Sequence, residues 1–348
     1  KVTPGSNHYF SYYDANFKLV STPLQHLISA ENKYQFEVFD PTILHMIAHS
    51  GKLELGQLCK VQVGYNTGGH KDFFESEKGS DNFPFVSGGG SIQPYSLTYP
   101  SIWQKKTGNY FLVYNPQLVK KVIERAQKQN KGLPGFGDKE GYFDDEKLFL
   151  RQSGSSLSAT YDDQKFRSRH NLFIINFNPQ IPSVLLSEKK KYLKTVLAQL
   201  NSDLLTYYAI HRRLLLTGQG KIPQITANSV RKLPILQIPE KAALVFLVDS
   251  LLSLKKYNPA DITTFELINN FLNMCIYEFF LFSSVELLKI IQEKISAFNK
   301  SEDNKQKYVF IKGNITHIMH CTDVQQIFDK VTNHPLIQRI IQWKENRR

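Results

Sequence analysis

The stretch KLFLRQSGSSLSATYDD occupies residues 147–163. Its first six residues, KLFLRQ, predict a strand that leads into a Gly/Ser-rich turn, and NLFIIN at 171–176 predicts another strand. Upstream, QLCKVQV at 57–63 alternates as a strand does and continues into GYNTGGHKDFF at 64–74, where glycines permit a tight loop before a further strand. A mixed sheet is therefore expected in this part of the chain.

Helical spacing of apolar residues dominates on both sides of these strands. Helices are predicted at 36–49, 116–129 and 187–213, and a strand at 109–114. From about residue 240 we expect helices at 240–256, 261–298 with breaks, and 322–345, with a short strand at 307–311. The predicted fold class is α+β: a mixed-sheet domain followed by a mostly helical C-terminal subdomain.

Composition indicates a folded globular protein. The 348 residues are 41% hydrophobic and include 24 Phe and 17 Tyr, enough to build a large core. No apolar stretch approaches the length of a membrane span, and the first thirty residues have no signal-peptide pattern. The cysteines, Cys59, Cys275 and Cys321, are widely spaced and indicate neither a disulfide framework nor a metal knuckle. Because disulfides are typical of oxidising compartments, a reducing, cytoplasmic location is expected.

Positive charge is concentrated in the middle of the chain. The net charge is +12, yet residues 1–150 contain 16 basic and 15 acidic side chains, whereas residues 151–235 contain 13 basic and 4 acidic ones. Such a concentration, mixed with aromatic residues, is typical of proteins that contact nucleic-acid phosphates. For the lysines of Glu188–Lys194 alone, a solvated helix face explains the pattern equally well.

Motifs for catalysis are missing from the sequence. It contains no P-loop, no complete dinucleotide fingerprint, no nucleophile elbow and no metal-ligand spacing with a second ligand group. The chain is therefore expected to be non-catalytic, with no metal and no cofactor of its own.

Five blocks, in order, resemble the TaqI-like C-terminal specificity domain. This is the target recognition domain of DNA adenine methyltransferases and of Eco57I-like fused restriction-modification enzymes. The blocks are LGQLCKVQVGYNTGGHKDFF (55–74), FPFVSGGGSIQPY (83–95), KLFLRQSGSSLSATYDD (147–163), YLKTVLAQLNSDLLTYYAIH (192–211) and KIPQITANSVRKLPI (221–235).

The resemblance implies a division of the chain into three parts. Residues 1–54 would be a linker and helix from a catalytic half that lies outside the chain, 55–238 the DNA target recognition domain, and 239–348 a helical C-terminal subdomain. The family's FxGxG cofactor motif and Asn-Pro-Pro-Tyr adenine pocket do not occur in the sequence. We therefore expect the specificity module of a larger type II restriction-modification protein.

The same resemblance implies the partners of such a module. They are double-stranded DNA and a methyltransferase catalytic domain, in cis or in trans, with no membrane. The parent protein would be a site-specific DNA adenine methyltransferase that uses S-adenosylmethionine, and a fusion to an endonuclease remains open.

Candidate base-reading residues lie in two places. The loop containing Asn66, Thr67, His70 and Lys71 has glycines that allow close approach to a groove, although a plain hairpin turn remains an alternative. Arg151 and Gln152 end a predicted strand and suit bidentate readout of guanine and adenine. Arg151 could equally be the buried partner of a carboxylate.

Candidate phosphate contacts follow the same strands. Lys165, Arg167 and Arg169 alternate, so an extended backbone would place them on one face as a phosphate track. Arg231 and Lys232 would add phosphate contacts, and Tyr161 belongs to the aromatic residues interleaved with these cations. Asn201 is interpreted as structural, organising its helix against the sheet.

Other classes of function remain open at this stage. The chain could be a protein-interaction scaffold, a stand-alone specificity subunit of a larger complex, or a complete enzyme of unknown chemistry.

Overall fold

The computed structural model describes residues 12–13, 19–21, 41–50, 53–136, 140–178, 188–216, 222–239, 241–296 and 304–346. Its strands, β1 to β16, are Tyr12–Tyr13, Leu19–Ser21, Leu53–Glu54, Cys59–Val63, Phe74–Glu75, Asn82–Val86, Ile92–Gln93, Ser96–Leu97, Phe111–Val113, Lys147–Arg151, Ala159–Asp162, Arg167–Ser168, Leu172–Phe177, Leu215–Leu216, Gln224–Ile225 and Pro234–Ile235. Its helices, α1 to α14, are Pro41–Ser50, Leu55–Leu58, Ile102–Thr107, Pro116–Lys128, Glu140–Asp144, Lys189–Leu200, Asp203–His211, Ala227–Arg231, Lys241–Tyr257, Ile262–Phe282, Glu286–Ser296, Asn304–Met319, Thr322–Thr332 and Pro335–Glu345.

The main sheet is antiparallel, with strand order β11-β10-β13-β4. All six residues of β13, LFIINF, are buried. Because side chains alternate along a strand, Phe173, Ile175 and Phe177 enter one hydrophobic core, and Leu172 and Ile174 enter another. The main sheet therefore separates two cores.

A smaller mixed sheet covers one of these cores. Its strand order is β12-β6-β9-β5, and the β12–β6 pair is parallel. Helix α4 packs against this core through Val122 and Ala126, and it begins where Asn115 accepts hydrogen bonds from the first-turn amides and Pro116 occupies the first position. Phenylalanine and tyrosine supply most of the core between the two sheets.

Helices cover the opposite face of the main sheet. Leu197 of α6 and Leu244 of α9 belong to the same core as β13, and Lys194 forms an ion pair with Asp249 across these two helices. At the end of the described chain, Lys344 Nζ lies 2.6 Å from Asp203 Oδ2 and ties α14 to α7. Residues before and after position 238 therefore contribute to one hydrophobic core.

The structure confirms the α+β class, with the helices concentrated in the C-terminal part. The helix predicted at 187–213 is interrupted, because Ser202 caps a new helix by accepting a hydrogen bond from the Leu205 amide at 3.2 Å. The strand predicted at 307–311 is wrong: these residues lie in α12, where Ile311 packs into the helical core. Most of the predicted N-terminal linker, including 36–40, lies outside the described residues.

Asn201 connects the helices to the main sheet. Its side-chain oxygen accepts a hydrogen bond from the Ala159 amide at 2.8 Å, and its side-chain nitrogen donates to the Ala159 carbonyl at 3.1 Å. Ala159 begins the edge strand β11, so this side chain satisfies its outward amide, while its carbonyl also accepts the Tyr95 amide at 3.0 Å. This contact agrees with the structural role predicted for Asn201.

We expect Asn201→Ala to lower the free energy of unfolding by about 1–3 kcal/mol, because the substitution leaves the buried Ala159 amide unpaired. Urea denaturation of the full chain measures the change. Asn270→Ala, on the exposed side of α10, is the matched control and should change stability by less than about 0.5 kcal/mol. Equal effects of the two substitutions would contradict the role of Asn201 as the link between the helices and β11.

Candidate nucleic-acid interface

Several loops meet at one end of the main sheet. Strands β4 and β10 both run antiparallel to β13, so their last residues and the first residue of β13 lie at the same end. Arg151 is opposite Leu172, whose carbonyl also accepts the Gly64 amide at 3.1 Å. Two strand spacings separate Arg151 from Gly64, which places their Cα atoms about 10 Å apart.

Backbone hydrogen bonds bring two further loops to this end. The Arg169 amide donates to the Val86 carbonyl at 3.1 Å, next to the loop SGGG at 87–90. The Ile225 amide donates to the Gln152 carbonyl at 2.9 Å, and the Gly154 amide to Pro223 at 2.9 Å. We call the assembled region the sheet-end surface; it consists of residues 64–71, 87–90, 151–154, 169–171 and 223–225.

Gly64 makes the close approach of these strands possible. A Cβ atom at this position would lie 2.3 Å from the Arg169 carbonyl oxygen and 2.4 Å from that of Ser168. Both neighbours are backbone atoms and cannot move aside without disturbing the second sheet. Only glycine therefore allows β4 to cross next to β12 and deliver the following loop to the sheet-end surface.

Loop 64–71 contains both exposed and buried side chains. Asn66 and Lys71 are exposed, as predicted for residues that contact a partner. Thr67 and His70 are buried, and His70 Nε2 donates to the Gly132 carbonyl at 2.8 Å. The proposed base contacts of Thr67 and His70 are thus not available in this conformation, and His70 instead holds the loop in place.

Arg151 is surrounded by glycines. Its side chain is half-buried, and its Nε donates to the Ser153 carbonyl at 3.1 Å. A Cβ atom at Gly154 would lie 3.4 Å from one terminal nitrogen, and one at Gly89 would lie 3.8 Å from Nε. Among the described residues no carboxylate pairs with this guanidinium, so its terminal nitrogens remain available to a ligand. Gln152 is half-buried beside it.

The predicted phosphate track of three alternating cations does not form. Arg167 is 1% exposed, its guanidinium lies 3.7 Å from the Phe83 ring centroid, and it forms an ion pair with Asp144 at 2.8 Å. Lys165 is exposed, but it sits in a turn with a φ of 59°, beyond the far end of β11. Arg169, half-exposed, is the member of this set that lies at the sheet-end surface.

A buried ion pair shapes the turn that contains Lys165. Lys147 and Asp162 are opposite each other on β10 and β11, and their charged atoms are 2.6 Å apart with both side chains almost fully buried. Asp162 also accepts the amides of Gln164 at 2.9 Å and Phe166 at 3.0 Å. Burial lowers the pKa of the Lys147 ammonium, while the Asp162 charge opposes that shift. The sequence reading missed this pair because a strand lysine resembles any surface cation.

Tyr161 faces away from the sheet-end surface. It lines a cleft of about 530 Å³ between β11 and helices α6 and α9. Burial, followed by the nearby Glu146 carboxylate, raises the pKa of its hydroxyl. Lys194 Nζ lies 5.2 Å from the ring centroid. Its setting is therefore that of an aromatic residue between helices and sheet.

Arg231 protects the outer edge of the main sheet. One of its guanidinium nitrogens donates to the Val61 carbonyl of the edge strand β4 at 2.6 Å. This contact occupies a strand edge that would otherwise be open. Lys232, the next residue, is exposed. The structure thus places Arg231 against β4, where its bound nitrogen is committed to the protein backbone.

Within the described ranges, no three His, Cys, Asp or Glu side chains are close enough to hold a metal ion. None of the described helices is long and apolar enough to cross a membrane.

We expect Arg167→Ala to lower the free energy of unfolding by about 2–4 kcal/mol, because it removes a buried side chain that packs on Phe83. Lys165→Ala, two residues away and exposed, is the control and should change it by less than about 0.5 kcal/mol. Urea unfolding curves measure both. A fully stable Arg167→Ala protein would mean that this side chain is free for a ligand after all.

Comparison with known proteins finds a family model that matches the middle of the chain. No curated protein matches the chain. A solved structure of the Type IIL restriction-modification enzyme MmeI in complex with DNA is similar at 12% sequence identity and a TM-score of 0.33, over 76% of this chain and 37% of that one. This chain therefore spans little more than a third of that protein's length. Residues 84–235 match the family model of the TaqI-like C-terminal specificity domain.

Proposed function

We propose that this chain recognises a specific sequence in double-stranded DNA, as the specificity module of a restriction-modification DNA adenine methyltransferase. The family match over residues 84–235 supports a specificity role. The observation that carries the proposal is the sheet-end surface, where an accessible arginine, an exposed loop and glycine-rich backbone converge. A surface with few bulky side chains can approach a base-pair edge closely.

The sheet-end surface has groups for both parts of DNA recognition. Arg151 offers two terminal nitrogens in the geometry that guanine O6 and N7 accept, and Gln152 follows it at the end of β10. Lys71 and Arg169 provide cations on either side for phosphates, which set the register. The separation of about 10 Å between Arg151 and the start of loop 64–71 is close to the ~12 Å width of a major groove.

Net charge supports the same partner. Residues 151–235 contain nine more basic than acidic side chains, although, among the described residues, five of the cations form ion pairs within the protein: Arg167, Lys189, Lys190, Lys191 and Lys194. The remaining cations attract a polyanion over distances set by the ionic strength.

The methyl-transfer chemistry would be supplied by a separate catalytic domain. The sequence contains neither the FxGxG nor the Asn-Pro-Pro-Tyr motif of the family's catalytic half. In this proposal a methyltransferase domain, in the same protein or on a partner subunit, binds S-adenosylmethionine and takes an adenine out of the base stack. The module's own residues hold the duplex in register while this happens.

Selection of duplexes from a randomised pool by the full chain tests the recognition. We expect enrichment of one sequence motif, and an affinity for it that falls about 10³-fold or more between 50 and 200 mM salt. Arg151→Ala should keep the motif except for relaxed choice at one base pair, a loss of about 1–3 kcal/mol of discrimination. Lys289→Gln, on an exposed face of α11, is the control and should select the same motif as wild type. Selection of no motif would refute the function and favour a protein-interaction scaffold.

The methyltransferase part of the proposal has its own test. In cells that carry the gene, single-molecule sequencing of genomic DNA should show N6-methyladenine within the motif selected in vitro. Deletion of the gene should remove that mark and leave other methylated motifs unchanged. An unmethylated motif would refute the adenine methyltransferase context while leaving DNA recognition intact.

A further inference from the structure

The exposed face of α4 is basic, although the first 150 residues are almost neutral overall. Between residues 116 and 132 there are five basic side chains and one acidic one. Lys121, Arg125 and Lys128 follow the i, i+4, i+7 spacing of one helix face, and all are exposed. The opposite face, with Val122 and Ala126, packs into the core between the sheets. The net charge of residues 1–150 does not reveal this cluster, because acidic side chains elsewhere in the segment balance it.

A cleft, which we call the α4 cleft, separates the end of α4 from loop 64–71. Its volume is about 540 Å³. Cations line both sides, with Lys71 on the loop and Lys131 after the helix, and glycine backbone forms much of the remaining wall. Within the described chain, Lys71, Lys128 and Lys131 form no ion pair with a carboxylate. A rigid anion with several oxygens fits this charge and this backbone.

Three contacts hold the two sides of the cleft together. Asn66 and Gly135 exchange backbone hydrogen bonds of 3.1 and 2.7 Å, and His70 donates to Gly132 at 2.8 Å. Arg125 donates two hydrogen bonds to Asp72, at 3.0 and 2.6 Å. The Arg125 hydrogen bond holds the pKa of the Asp72 carboxyl below its usual range, so the pair is ionised at neutral pH. The cleft is therefore formed before a ligand arrives, which lowers the entropic cost of binding.

Glycine is required at the narrowest point of the cleft. Gly68 has a φ of 61°, and a Cβ atom there would lie 2.7 Å from the Gly132 carbonyl oxygen. Gly69 has a φ of 79°, but a Cβ atom would meet nothing within 4 Å, so the backbone borders open space at this residue. This arrangement leaves backbone accessible to a ligand.

The helix dipole alone does not account for this charge. Cations in the last turn of a helix offset its partial negative end, which explains Arg125 and Lys128. Lys121 lies one to two turns earlier, Lys131 lies beyond the helix, and Lys71 is on the facing loop. These three residues have no such role.

We propose that the α4 cleft binds the phosphate backbone of the duplex, flanking the bases that the sheet-end surface contacts. This inference rests on the proposed DNA recognition. The seven residue steps from Lys121 to Lys128 rise about 10 Å along α4, roughly three base-pair steps at ~3.4 Å each. Lys71 and Lys131 clamp one phosphate between loop and helix, and the helix lysines follow the same strand. Because Asn66 joins the cleft to the sheet-end surface, these contacts fix the register of base reading.

The double substitution Lys128→Gln with Lys131→Gln tests the end of the α4 basic face and the cleft beside it in the full chain; Lys131 lines the cleft. We expect binding to weaken about tenfold for every duplex sequence, the slope of log affinity against log salt to fall by about 1–2, and the selected motif to stay the same. Phosphate ethylation interference should lose one patch beside the motif. Lys289→Gln with Lys294→Gln, which removes the same charge from exposed positions on α11, is the matched control and should retain the wild-type slope and footprint.

The outcomes separate this inference from the proposed function. If wild type binds DNA and the Lys128/Lys131 variant keeps its slope and footprint, the cleft is not a phosphate site, and DNA recognition stands. An equal loss in the control pair would show that net charge alone acts, and it would also overturn the cleft. A lowered melting temperature with unchanged binding would assign Lys128 to the helix dipole, and it would also overturn the cleft. If wild type binds no duplex, the proposed function itself fails.

Discussion

The alternation of side chains along β10 and β13 is the constraint on which the structure depends. Leu148 and Leu150 face the helices, whereas Phe149, between them, faces the smaller sheet. A shift of one residue in strand pairing would exchange the two sets and place Lys147 among the helix leucines. With apolar residues on both faces, the register of the main sheet is strongly specified, and the ends of its strands are fixed with it.

The register also determines which polar groups meet. Lys147 shares a face with Phe149 and Arg151, so it lies opposite Asp162 in the buried pair at one end, while Arg151 emerges at the other. The glycine at position 64 lets β4 deliver its loop to the same end as Arg151. Asn201 then joins the helices to the edge strand β11. The cores on both faces thus stabilise the main sheet, while the exposed side chains of the sheet-end surface contribute little to packing. Binding residues are best placed on such a surface, because a rigid scaffold positions them.

Much of the fold could be predicted from local sequence. The strands KLFLR and LFIINF and the helix at 116–128 have strong periodicity and clear boundaries, such as Asn115 with Pro116. The segment YVFI at 308–311 was misassigned because a short apolar run with aromatic residues fits a strand and a buried helix equally well. The break after Leu200 was missed because a capping serine inside a long apolar pattern gives only a weak local signal.

The candidate site was harder to predict than the fold. Arg167 and Arg169 are alike in sequence, yet one stacks on Phe83 and pairs with Asp144 while the other reaches the sheet-end surface. The two arginines differ because Arg167 has two partners, Phe83 and Asp144, which lie 84 and 23 residues away from it in the chain. No local sequence pattern includes residues at such distances. His70 looked like a base reader and instead bonds to Gly132. The basic face of α4 did not show in the net charge of residues 1–150, because acidic residues elsewhere in that segment cancel it.

The sequence by itself determined the α+β class, the positions of most helices and strands, the resemblance of the middle segment to the specificity domain and the excess of positive charge. These properties depend on local periodicity and composition, which a single chain displays directly. Tertiary structure alone decided which cations face solvent, which loops meet at the sheet end, and where the α4 cleft opens. Those outcomes follow from strand register and long-range packing, because a charged side chain is free for a ligand only where no distant residue of the same chain already pairs with it.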